Sequence, residues 1–226
     1  MKRAVEIFTP AEREKINQAV AEAEKRTAGE IVPVLATASG RYDRAEDIGG
    51  LLLGLTLLAS LWTAFQRILP VEGDWTHGQQ LQLDLPWLVL MVIGGFVVGT
   101  AIVSRVGWLR RLFVSQREMR QEVERAAWQS FARFRVGRTA AGTGILLYVS
   151  LFERMVCVLG DDPIAAKIDQ KTWDEIRDLI LRGIGEKRVA DGFCQAIARS
   201  GELLAQHFPC HPGDVNELSN ELRVLN

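Results

Sequence analysis

Along most of the chain apolar residues recur at helical or strand spacing, but two long stretches have no polar face at all. Ile48 to Phe65 (IGGLLLGLTLLASLWTAF) and Leu85 to Val103 (LPWLVLMVIGGFVVGTAIV) contain no charged residue. At 1.5 Å of rise per residue each covers roughly 27 Å, close to the ~30 Å hydrocarbon core of a bilayer. An amphipathic core helix of a soluble domain carries a polar stripe at helical spacing, and neither run has one. The pair predicts a transmembrane hairpin over 48–103 with a water-exposed connection at 66–84. Trp62, Trp75 and Trp87 suit the headgroup level at the span ends. The small-xxx-small pairs Gly50/Gly54 and Gly95/Gly99 allow helix backbones to approach closely.

The flanking segments read as an α/β domain. Thr9, Pro10 and Glu12 form a helix start, with Thr9 as cap, Pro10 at the first helical position and Glu12 closing a capping box. Ile16, Val20 and Ala23 then line one face of a helix that runs to about Arg26. Glu30 to Ala36 (EIVPVLA) predicts a strand, and Pro33 within it favours an edge or a bulge because it lacks a ladder donor. After the hairpin, Leu112 to about Phe134 has helical spacing. Ile145 to Leu151 is a near-continuous apolar run, as in a strand covered on both faces. Met155 to Leu159 follows after a short turn, which points to a hairpin. Thr172 to Gly183 and Ala190 to Phe208 predict two closing helices, with Trp173, Ile176, Leu179 and Ile180 on one apolar face and Phe193, Ile197, Leu203 and Leu204 on the other. The domain plan is therefore 1–47 as a first helix and strand, 48–103 as the hairpin, 104–208 as the rest of the soluble domain, and 209–226 as a polar tail. One small α/β sandwich interrupted after its first strand accounts for this order.

Charge adds orientation. Arg41 and Arg44 precede the first span and Arg105, Arg110, Arg111, Arg117 and Arg120 follow the second, whereas the connection holds Arg67 alone. By the positive-inside rule both termini are expected in the cytoplasm of a bacterial inner membrane. The N-terminal MKRAVEIFTPAERE has no apolar core of a signal peptide. Three cysteines at no ligand spacing suit a reducing compartment. A net charge of -1 gives no footprint of a nucleic-acid binder. The expected partners are the bilayer and other membrane proteins.

Catalytic signatures are sparse. The sequence has no nucleophile elbow, no phosphate-cradling glycine loop and no paired histidines at metal spacing. Glu153, Asp161, Asp162 and Asp169 are the one acidic constellation that a compact fold could bring together as oxygen ligands for Ca²⁺ or Mg²⁺. The same acids also suit turns and helix N-termini.

The stretch GTGILLYVSLFERMVCVLGDDPIAAKIDQKTWDEI resembles the TPM domain. In that family an apolar strand opened by a glycine leads to a strand-end acid and arginine, then to a glycine motif closed by an aspartate. Here Gly144 opens the strand, Arg154 takes the arginine place, Gly160 the first glycine, and Asp169 the closing acid. VADGFCQAIARSGELLAQHFP is similar to the family's last helix, with Gly192 in the glycine position, and FTPAEREKINQAVAEAEKRTAGEIVPV resembles its opening helix and strand. The resemblance implies a small TPM-like sandwich in a bacterial, membrane-embedded branch. It implies two kinds of activity: assistance to other membrane proteins in assembly or quality control, or a divalent-metal phosphatase. Glu153 and Asp169, with Asp161 and Asp162 beside them, are the ligands it would carry over. Asp162 stands where the family has a second glycine, and Phe152-Glu153 where acidic pairs are frequent.

Overall fold

The computed structural model describes residues 3–66, 85–139, 142–210 and 216–226. The chain is a mixed α/β protein with two compact units, one formed by 1–40 with 116–226 and the other by 41–115.

The first unit is built on a mixed sheet of four strands in the order β3-β2-β1-β4. Strand β1 (Glu30–Ala36) pairs in parallel with β2 (Gly144–Ser150), with Glu30 opposite Gly144 and Ala36 opposite Ser150. Strand β3 (Met155–Gly160) returns antiparallel to β2. β4 (Arg223–Leu225) lies parallel to β1 on its other side. Side chains alternate along β1 and β2, so the sheet has two buried faces. Ile31, Leu35, Ile145, Leu147 and Val149 face the helices α1 (Pro10–Glu24), α7 (Gln170–Gly185) and α8 (Val189–His207), where Ile16, Val20, Ile176, Ile180, Phe193, Ile197 and Leu204 complete one core. Val32, Val34, Ala36, Leu146 and Tyr148 face Val123, Ala127 and Phe131 of α5 (Gln116–Arg133). Helices on both faces explain why the two central strands are buried at every position.

The capping box predicted at the first helix is formed: the Thr9 side chain accepts from Glu12 N at 3.3 Å, and Glu12 Oε2 accepts from Thr9 N at 2.8 Å. Pro33 is not on an edge, for β1 lies between two strands. The β4 ladder runs only from Val34 to Ala36, so on that side the missing N–H leaves no ladder bond unmade. The tail contributes that fourth strand; three residues carry too little periodicity to announce it. The predicted helix from Leu112 breaks instead between α4 (Gly107–Leu112) and α5, with Phe113 to Ser115 outside both.

The second unit contains α2 (Asp43–Gln66) and α3 (Leu85–Arg105), two helices long and apolar enough to cross a membrane. They meet through glycine. A Cβ on Gly99 would lie 2.9 Å from Gly50 Cα, and one on Gly95 would lie 2.8 Å from Gly54 Cα. The two small-xxx-small pairs therefore face each other. Glu46 pairs with Arg110 of α4 at 3.5 Å, and the Arg110 guanidinium stacks over Tyr42. The predicted connection at 66–84, with Trp75 and His77, lies outside the described residues except for Gln66.

Candidate functional site

Of the four acids expected to share a site, Glu153 is parted from the other three by the length of β3 (Met155–Gly160). Glu153 lies in the turn between β2 and β3, and Asp161 follows the far end of β3. Six strand residues at ~3.3 Å each put roughly 20 Å between them. Glu153 cannot join the other three around one ion, and among the described residues no group of three or more His, Cys, Asp or Glu is placed to hold a metal.

Each acid has a structural occupation. Asp161 caps the short helix α6 (Asp162–Ala165), accepting from Asp162 N at 2.9 Å, and Asp162 sits in its first turn. Asp169 caps α7, accepting from Thr172 N at 3.1 Å, and the bonds from Thr172 hold its carboxyl below the usual range.

Glu153 is fully buried and organises a polar network at the C-terminal ends of the parallel strands β1 and β2. Its Oε1 accepts from the backbone N–H groups of Ser39 at 2.9 Å and Gly40 at 3.3 Å. Ser150 Oγ donates to its other oxygen. Ser39 Oγ in turn donates to Ser150 Oγ at 2.9 Å and lies 3.0 Å from the Tyr148 hydroxyl. Burial raises the Tyr148 pKa above the ordinary phenol value. Every donor in this cluster faces inward and is spent on a neighbour, so the arrangement fixes the loop at 37–40, where the chain departs toward α2. Neither Ser39, Tyr148 nor Ser150 was legible as a site residue, since the three fall within a loop and an apolar strand.

A second acidic pair escaped sequence reasoning. Glu24, at the end of α1, and Glu30, which opens β1, bring their carboxyls next to each other. Burial pushes both carboxyls upward, Glu24 to about 8. The available signal was an acid at the first position of a strand otherwise wholly apolar.

Beside β3 a groove of ≈ 500 Å³ is lined by Arg120, Glu124, Arg154, Cys157, Arg177 and Leu181 among others. Arg177 is already paired with Asp174 at 2.6 Å and Asp178 at 2.9 Å. Burial pushes the Cys157 thiol up to about 11, which keeps it in the unreactive protonated form. His207 stands next to Phe208 near the end of α8, and His77 and His211 lie outside the described residues.

No family model matches the chain, and a search of curated proteins also finds no match. Among solved structures it is similar to the BA42 protein of the psychrophilic bacterium Bizionia argentinensis, determined by NMR. The two share 18% identity, with 99% of each chain covered and a TM-score of 0.58, which is a likeness of fold.

Proposed function

We propose that this chain is a membrane-anchored, TPM-like module of the bacterial inner membrane, with both termini cytoplasmic, acting as a non-catalytic assembly or quality-control partner of other membrane proteins. The observation that carries the anchoring is the outward apolar surface of α2 and α3. Leu51, Leu55, Trp62, Leu90, Val97 and Ile102 are all exposed, although a buried core helix would hide such residues. An apolar surface of this length finds its solvent in a bilayer. The arginines that flank the spans set the orientation. The non-catalytic reading is supported by Asp161, Asp169 and Glu153, whose oxygens are used in two helix caps and in the loop at 37–40.

Reporter fusions at Ser39, His77 and Ser115 test the anchoring, with the first and last expected inside and His77 outside. A periplasmic C-terminus overturns the orientation. Turnover is tested with the purified full chain, a panel of phosphomonoesters and added Ca²⁺, Mg²⁺ or Mn²⁺. No hydrolysis above buffer is expected; hydrolysis that vanishes in Asp169→Ala would establish the phosphatase instead.

A further inference from the structure

The two edges of the sheet are unlike. The β4 edge is blunted, being three residues long and carrying Arg223. The β3 edge is six residues long (MVCVLG), and no strand among the described residues pairs with its outer side. It has neither a proline nor a charge along its length, the devices that ordinarily keep such an edge from pairing. An uncovered edge of this kind is a template for another strand.

Charge at the two ends of β3 selects the occupant. At the Met155 end the groove gathers Arg120 and Arg154 with the one acid Glu124, Arg177 being held by Asp174 and Asp178. Among the described residues neither Arg120 nor Arg154 forms an ion pair, and Arg154 is held at φ +56, a conformation uncommon outside glycine. At the Gly160 end stand Asp161 and the exposed Asp162. The strand is thus basic where it begins and acidic where it ends. An antiparallel copy of the same strand reverses that order and meets it with opposite charge at both ends.

We propose that the β3 edge is a homodimer interface, at which two copies of this chain pair their β3 strands antiparallel about a two-fold axis and join their sheets. With the axis at Val158, the two Val158 residues lie opposite each other, Val156 opposite Gly160 of the second copy, and Arg154 opposite its Asp162. Because the contact is isologous, each charge pair occurs twice. Closure by the two-fold also stops further growth, since the β3 edges cover each other and the outer edges are the blunted β4 strands.

The test uses the full chain in detergent micelles, with mass measured across a concentration series by analytical ultracentrifugation. A dimer is expected. Arg154→Glu should weaken it about tenfold or more, because the reversal sets like charges together twice. Adding Asp162→Lys to Arg154→Glu should restore it, a recovery that a general loss of fold would not show. Hydrogen exchange at Val156, Val158 and Gly160, whose N–H groups face away from β2, should slow as dimer forms. A chain that stays monomeric, a dimer indifferent to Arg154→Glu, a double variant without recovery, or exchange protection that spares β3 would each overturn the interface. So would a monomer that instead binds a blocked peptide alternating valine and glutamate along β3, since the edge would then serve an acidic partner strand.

Discussion

Glu24 and Glu30 set two carboxyls against each other beneath the C-terminal segment. Glu24 accepts from Ile31 N at 2.9 Å and from the Asn216 side chain at 3.4 Å, while Glu30 Oε1 accepts from Glu217 N at 2.9 Å. Glu30 Oε2 is buried and meets no donor when both groups are ionised. One proton shared by the pair supplies that donor and removes the repulsion between like charges.

Stability should therefore fall as pH rises. Both groups titrate near the ordinary carboxylate value when unfolded, whereas in the fold burial raises them, Glu24 to about 8 with the charge of Glu30 adding to it. The folded state binds more protons between the two values, so its advantage is complete below the unfolded pKa and is lost as pH rises through the folded one. Denaturant midpoints at about pH 5 and about pH 9 should show the acid condition as the more stable by this contribution. Glu24→Gln, which keeps a donor toward Glu30, should flatten the slope; an unchanged slope would show that the pair does not govern it.

Removing the Glu153 carboxyl should cost more than removing any of the other three acids. Glu153→Ala leaves the N–H groups of Ser39 and Gly40 and the Ser150 hydroxyl without their acceptor, a loss of about 3 kcal/mol by thermal or chemical unfolding. Asp169→Ala removes a helix cap and should cost about 1 kcal/mol. Equal losses from the two would mean that the buried network contributes no more than a surface cap.

The crossing of α7 and α8 depends on a pair of glycines. A Cβ on Gly183 would stand 2.7 Å from Gly192 Cα and 2.9 Å from Arg188 O, both backbone atoms that cannot turn aside. Gly183→Ala should destabilise by about 1–3 kcal/mol through overpacking. Gly185, two residues on, has nothing within 4 Å of its Cβ position. Gly185→Ala should be neutral or slightly stabilising, because alanine favours the helix and restricts the unfolded chain. Melting curves of the two variants make the comparison.

The apolar helices supply a similar internal control. A Cβ on Gly54 would lie 2.9 Å from Val92 O, while Gly94 has open space around it. Gly54→Ile should separate α2 from α3, read as a fall in energy transfer between probes on the two helices in micelles, whereas Gly94→Ile should leave the distance unchanged.

Local pattern was enough to identify the two apolar helices, the Thr9 cap, the β2–β3 hairpin and the helices α7 and α8. Each of those features depends on residues a few positions apart, so their spacing already encodes which face is buried and where the element stops. The facing of Gly50 with Gly99 and of Gly54 with Gly95 was foreshadowed by their spacing, though only the packed pair shows which backbone each approaches. Tertiary structure decided the rest. Pro33 reads locally as an edge signal, yet β1 is central because β2 and β4, from distant parts of the chain, both pair with it. Asp161 and Glu153 are eight positions apart in a sequence where turns suggest proximity, and the antiparallel ladder holds them at opposite ends of the sheet. Glu24 and Glu30 look like ordinary surface acids until α1, β1 and the tail enclose them. Pairing between strands and burial by remote segments are set by which surfaces meet in three dimensions, and a single run of residues carries no record of its distant neighbours.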